Sequence, residues 1–251
     1  MKLPETASFT CHHFCIRLRV TTRRMYAVRQ KMIDRAIRLS ITGSVLFTAP
    51  LTGQAAPEPL RIALITAGGS ASTPASASAV RGVRLGAAEA KQTARLFGDD
   101  VELYEAAGGR DPAAVAQQLL SRGQVQVIIG SSPMQADTLS RFAEAHHIVF
   151  FNIASRSERL RAVCRRYTFH IEATDAMYAN ASRALAKELR PHSTGATPPP
   201  LDSAVLWGSS LERYGASQIN DRYRTKYHSG MEGSAWAGWA AVISRRFEAS
   251  A

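Results

Sequence analysis

The stretch from Val125 to Ser155 constrains this chain most. A short β-branched run, VQVIIG, ends in Ser131-Ser132-Pro133. An amphipathic segment follows to His146, and a second apolar run, HIVFFN, ends in Ile153-Ala154-Ser155. Two continuous apolar runs flanking one helical segment form a βαβ unit whose strands are buried on both faces, which requires a parallel sheet. Ligands of such sheets bind at the carboxyl ends of the strands. The small polar residues that close both runs are therefore the first candidates for a site.

The flanking sequence repeats the pattern. LRIALITA contains a buried strand over Arg61–Thr66, followed by a small-residue loop from Gly68 to Ser78. A helix is expected over Val80–Phe97, a strand over Val101–Tyr104, and a second helix beginning at Asp111-Pro112, an N-cap and N1 pair. Successive βα repeats joined by short loops give a doubly wound α/β lobe. Beyond Ser155, Tyr167–Ile171 alternates like a strand and Asp175–Leu189 has helical spacing. Pro191–Pro200 reads as a loop or linker. An apolar run at Ala204–Trp207 suggests one more strand, and helices are expected over Leu211–Tyr227 and Ser234–Phe247.

The net charge of +11 alone would suggest nucleic acid or an anionic membrane. Its distribution argues otherwise. Residues 1–56 hold nine Lys/Arg against two acidic residues, leaving 22 basic against 18 acidic beyond them. That leader has a secretory form: Arg35 and Arg38, an apolar stretch Leu39–Leu51 too short for a stable span, then Gly53-Gln54-Ala55 before a cleavage expected after Ala55 or Ala56. Met32 would begin a signal peptide of ordinary proportions. The expectation is an exported protein that does not bind nucleic acid.

Signals for chemistry are sparse. Cys11, His12, His13 and Cys15 do not have zinc-motif spacing, and no metal site is expected. Cys164, the one cysteine past the leader, reads as a buried thiol. The run after Gly68-Gly69-Ser70 lacks the third glycine of a dinucleotide fingerprint and the Gly-Lys-Ser/Thr of a P-loop, so no nucleotide cofactor is expected. Gly68 and Gly69 instead suggest a loop facing a ligand. Ser132, Pro133 and Gln135 form an S-x-x-Q capping box, which leaves Ser131 freer to meet a ligand. There is no nucleophile elbow and no pair of carboxylates at strand ends, so no enzyme is expected. Arg165-Arg166 reads as a solvated surface pair. Trp207, Tyr214, Tyr223, Tyr227, Trp236 and Trp239 crowd the last fifth of the chain, where helical spacing favours core packing for most.

RIALITAGG, VELYEAAGGRDPAAVAQQLLSRGQVQVIIGSS and HIVFFNIAS together resemble the first lobe of type I periplasmic solute-binding proteins, the branched-chain amino-acid receptors of ABC importers. CRRYTFHIEATDAMYANA and ERYGASQINDRYRTKY with AWAGWAAV are similar to a subgroup associated with pyrroloquinoline-quinone-dependent alcohol oxidation systems. The resemblance implies a clamshell that closes on a small polar solute, an amino acid or carboxylate, and hands it to an ABC permease in the inner membrane. It places first-lobe contacts at Ser131, Ser132, Ala154, Ser155 and Arg156. Those receptors have a Thr near the position of Arg156, so the arginine argues against an ordinary amino acid. The implied organisation is a leader over 1–56, a first lobe over 57–173, and an incomplete second lobe over 174–251, with several βα units fewer than the family has. A lone sensing or interaction lobe, or a degenerate member without ligand, are the alternatives.

Overall fold

The structure, a computed structural model, describes residues 58–68, 73–189 and 204–246. The leader, Gly69, the rest of the 69–72 loop and the Pro191–Pro200 stretch lie outside the described residues. Five strands, β1 (Leu60–Thr66), β2 (Val101–Ala107), β3 (Val127–Gly130), β4 (Val149–Asn152) and β5 (Thr168–His170), form one wholly parallel sheet in the order β2-β1-β3-β4-β5. The chain winds outward from β1 in both directions. This is the doubly wound arrangement that the βα repeats imply.

Alternation along the buried strands divides the core into two layers. Ile62, Leu64, Val127, Ile129 and Phe151 face α1 (Pro74–Arg95) and α7 (Gly233–Arg246). Ala63, Ile65, Ile128 and Phe150 face α2 (Pro112–Gly123) and α3 (Ala136–His146). The strands β1, β3 and β4 thus present apolar side chains both ways, which is why their sequences read as apolar runs. A short helix α4 (Glu158–Ala162) leads to β5, and α5 (Asp175–Leu189) follows with the expected bounds. Helix α6 (Ala216–Tyr227) lies outside the α1–α7 pair, where Tyr223, Met231, Leu85 and Ala235 make a third cluster. No helix among the described residues is long and apolar enough to cross a membrane.

Several expectations are corrected. Helix α1 begins at Pro74, inside the stretch expected to be a loop, because Thr73 accepts a hydrogen bond from Ser76 N (3.1 Å) and Pro74 fits the first turn. Ser132 does not cap α3, which starts only at Ala136; the Gln135 side chain turns to donate to Gly109 O (3.1 Å), and its Oε1, the acceptor a capping box needs, takes no hydrogen bond. Ala204–Trp207 is irregular and not a strand, since no sheet edge receives it. Cys164 is exposed, in the turn between α4 and β5, where no sheet face covers it. Arg165 is no solvated residue: its side chain is mostly buried and bridges Asp137 (3.0 Å) and Ser140 (3.0 Å). Burial works against the Asp137 charge, yet Arg141 and Arg165 together hold its carboxyl below the usual range. Asp111 caps α2 as expected, accepting from Ala114 N (3.0 Å).

Candidate functional site

A cleft of about 760 Å³ opens at the carboxyl edge of the sheet, a size usual for small-molecule sites. One wall comes from the ends of β3, β4 and β5, which supply Ser131, Ala154, Arg156 and Glu172, together with Tyr178 of α5. The start of α1 contributes Thr73 and Ser76. The other wall is the Ala204–Ser210 segment and the turn into α7 at Met231–Ser234.

Of the residues singled out in the sequence, Ser131, Ala154 and Arg156 line this cleft. Ser131 follows β3, its residue is 1% exposed, and its Oγ has no hydrogen-bond partner. A buried hydroxyl without a partner is uncommon and calls for an explanation. Here the cleft beside it supplies one, since a bound solute could donate to or accept from that oxygen. Gly68, Ser132 and Ser155 lie outside the lining. Gly68 turns the chain at φ +73°, where a Cβ would strike Ala107. Ser155 serves the loop itself: fully buried Asn152 accepts from Ser155 N (2.8 Å) and donates to Ser155 O (2.8 Å), fixing the turn that carries Ala154 and Arg156. Gly69 lies outside the described residues.

Arg156 does not stand alone. Its Nε is 3.4 Å from Glu172 Oε1, and its guanidinium lies 4.5 Å from the centre of the Tyr178 ring. Glu172, 5% exposed, also accepts from Tyr178 OH (2.6 Å) and Ala173 N (3.1 Å). Burial, then the Glu172 carboxylate, pushes the Tyr178 phenol well above its ordinary value. A second carboxylate, Asp175, lies 3.9 Å from Arg156 Nη1, and the arginine side chain, about half exposed, lines the cleft. His170, at the end of β5, approaches Asn152 Nδ2 (3.1 Å). Burial, reinforced by Arg161 and Arg165, holds its pKa down to about 4.

Glu172 and Tyr178 escaped the sequence reading, although Glu172 follows β5 and obeys the same rule that identified Ser131. The wall formed by Ala204–Ser210 carries in the sequence only the apolar run Ala204–Trp207, which reads as a strand and not as part of a site. Trp207 does pack in the core, stacked on Trp236 with centroids 5.5 Å apart, but it also reaches the cleft. Tyr223 is fully buried and packs on Tyr227 (4.9 Å), as the helical spacing implied. The geometry suits reversible binding of a small solute through hydroxyl and guanidinium groups.

Residues 59–197, more than half of the chain, match the family described as periplasmic binding protein. No curated protein matches the sequence. Among solved structures, the branched-chain amino acid transporter substrate binding protein LivJ from Streptococcus pneumoniae, in complex with isoleucine, is 11% identical with a TM-score of 0.56, over 74% of this chain and 82% of that one. An ABC transporter substrate-binding protein from Desulfitobacterium hafniense, in complex with Leu, is 12% identical with a TM-score of 0.59 over the same shares. The leucine binding protein LivK from Thermotoga maritima is 13% identical with a TM-score of 0.54, over 73% and 81%. At these identities the likeness is one of fold.

Proposed function

Since the chain belongs to the periplasmic binding protein family, we propose that it is an exported receptor of an ABC-type importer that binds a small polar organic solute without chemistry. The solute is an amino acid or a carboxylate, and the receiving partner is a permease in the inner membrane. The secretory form of residues 1–56 supports export to the periplasm. In this reading residues 57–173 act as a first lobe and 174–251 retain part of a second. The similarity of the CRRYTFHIEATDAMYANA stretch points to a receptor serving an alcohol-oxidising system.

The observation that carries the proposal is Ser131 Oγ, buried and without a partner on the wall of a cleft at the carboxyl edge of a parallel sheet. The half-exposed Arg156 side chain favours a carboxylate at the same wall. A thermal-shift series with leucine, isoleucine, acetate, butyrate and ethanol tests it. A solute at a hundred times its dissociation constant should add about 2.7 kcal/mol to stability. No shift with any member at millimolar concentration would remove the proposal.

A further inference from the structure

Asn152, the last residue of β4, is fully buried and uses both polar atoms of its side chain. Its Oδ1 accepts from Ala154 N (3.3 Å) and Ser155 N (2.8 Å), and its Nδ2 donates to Ser155 O (2.8 Å). These partners fix the orientation of the amide. A backbone N–H can only donate and a carbonyl only accept, so a flipped side chain would lose all three bonds. The remaining Nδ2 hydrogen meets His170 Nδ1 at 3.1 Å. That nitrogen must therefore accept, which requires a neutral imidazole with its proton on Nε2. A protonated ring would set an N–H against the Asn152 amino group, donor against donor.

The surroundings work in the same direction. Arg161 of α4, which donates to Glu172 O, and Arg165 of the turn before β5 both oppose a positive charge on His170. The carboxylates on the neighbouring elements are engaged elsewhere. Asp137 of α3 is held by Arg165 and Arg141, Glu144 of α3 accepts from Tyr167 N, Glu158 of α4 accepts from Ala176 N, and Glu172 meets Arg156 and Tyr178. Asn152 also ties the two strand ends together, since its carbonyl accepts from Ile171 N (3.0 Å) and Glu172 N (3.3 Å).

We propose that neutral His170 is a positioning residue, which acts through Asn152 to hold the turn carrying Ala154 and Arg156 in the cleft, and that protonation of His170 unlocks this turn. The consequence for affinity rests on the solute-binding reading of the cleft; the unlocking of the turn does not. Its sign follows from linkage. His170 has a pKa of about 4 in the folded chain against an ordinary value of 6.5, so an opened turn, in which the ring is freed, takes up the proton more readily. Opening should become more frequent by up to about ten-fold for each pH unit between about 6.5 and about 4, and level off below.

The test follows amide hydrogen exchange of Ala154 and Ser155 by NMR on the full chain between pH 6.5 and pH 4, as protection relative to the unstructured rate. The amides of Ile62 and Leu64 in β1 serve as the reference for global unfolding. Protection at the turn should fall across this window while β1 stays protected. His170→Asn places a carbonyl oxygen near the position of Nδ1 and does not titrate, so it should keep the turn protected throughout. Circular dichroism checks its fold, and if it does not fold, the imidazole ¹⁵N shifts of the unsubstituted chain decide, with Nδ1 unprotonated at neutral pH. Calorimetric titration with leucine, whose carboxylate stays ionised over this range, should show affinity falling in parallel, and not in His170→Asn. A flat turn protection, a loss shared equally by β1, the same loss in His170→Asn, or a proton on Nδ1 at neutral pH would each overturn the inference. The expected exchange pattern without leucine binding at any pH would support the role of His170 and count against leucine as the solute.

Discussion

The backbone carbonyl of Ala235 occupies the place where a Cβ on Gly82 would stand. Gly238 meets the carbonyl of Ala79 in the same way from the opposite helix, so α1 and α7 touch backbone to backbone. Gly82→Ala in an exposed helix would stabilise by about 1 kcal/mol. Here the added methyl has only a carbonyl to displace, and overpacking of this kind costs about 1–3 kcal/mol. Thermal unfolding of Gly82→Ala should therefore show a lower midpoint than the unsubstituted chain.

Ser131→Ala separates binding from folding. The hydroxyl has no partner within the protein, so its loss should change the denaturation midpoint very little. Affinity for a carboxylate solute should fall by about 0.5–1.5 kcal/mol, the net worth of one hydrogen bond. Calorimetric titration beside urea denaturation distinguishes this from a structural role, in which both would fall together.

Arg156→Ala should behave differently. The guanidinium is half-exposed and its pairing with Glu172 is solvent-screened, so stability should drop by less than about 1 kcal/mol. Glu172 keeps Tyr178 and Ala173 N as partners. Carboxylate affinity should fall by about 1.5 kcal/mol or more, as for a charge-assisted bond. A variant that binds as before would place the anionic head elsewhere.

Asn220→Ala should cost about 1–3 kcal/mol, because it strands the Trp207 indole N–H and two carbonyls at once. Tryptophan emission should shift to the red as Trp207 loses its fixed setting. An unshifted spectrum with unchanged stability would mean that the wall holds itself.

His170 makes stability depend on pH. Its folded pKa of about 4 lies below the ordinary value of 6.5, so between these the unfolded chain binds the extra proton. Its contribution is complete above about pH 6.5 and is lost as pH falls toward about 4, below which both states are protonated. The difference in urea midpoint between the unsubstituted chain and His170→Asn should narrow across that window, and a constant difference would contradict the assignment.

The strands were legible because burial on both faces writes itself as a continuous apolar run, as at Val127–Gly130 and Val149–Asn152. Helix α5 was legible from its spacing, and its bounds agree with the structure. The start of α1 was missed although Thr73-Pro74 carries the same N-cap and N1 chemistry as Asp111-Pro112. The alanines and serines around it resemble a loop, and the helix gains its apolar partners from the sheet and from α7, the latter more than 130 residues away. Ser132-Pro133-Met134-Gln135 misled for the converse reason. The local capping pattern was present, but Gln135 found a tertiary partner in Gly109.

The candidate site divides along the same line. Ser131, Ala154 and Arg156 could be placed because the carboxyl edge of a parallel sheet is fixed by topology. The pairing of Arg156 with Glu172 could not, since it joins the loops after two different strands. The Ala204–Trp207 part of the wall reads as a strand because a four-residue apolar run carries no information about whether a neighbour exists to pair with it. Its shape is held by distant partners, Asn220 on a helix otherwise read for its tyrosines and Trp236 stacked on Trp207.

The pairing of α1 with α7 also sets an order on synthesis. Helix α1 is among the first elements made and α7 the last of those described, yet the face between Gly82 and Gly238 has no other cover. Until α7 emerges, Ile62, Leu64, Val127 and Ile129 lie beneath a helix that nothing clamps. Such long-range closure is slow, and a chain without α7 leaves this apolar face open. A ribosome-stalled chain ending before residue 230 should therefore resist neither protease nor aggregation, and protection should appear in one step once the last helix clears the exit tunnel.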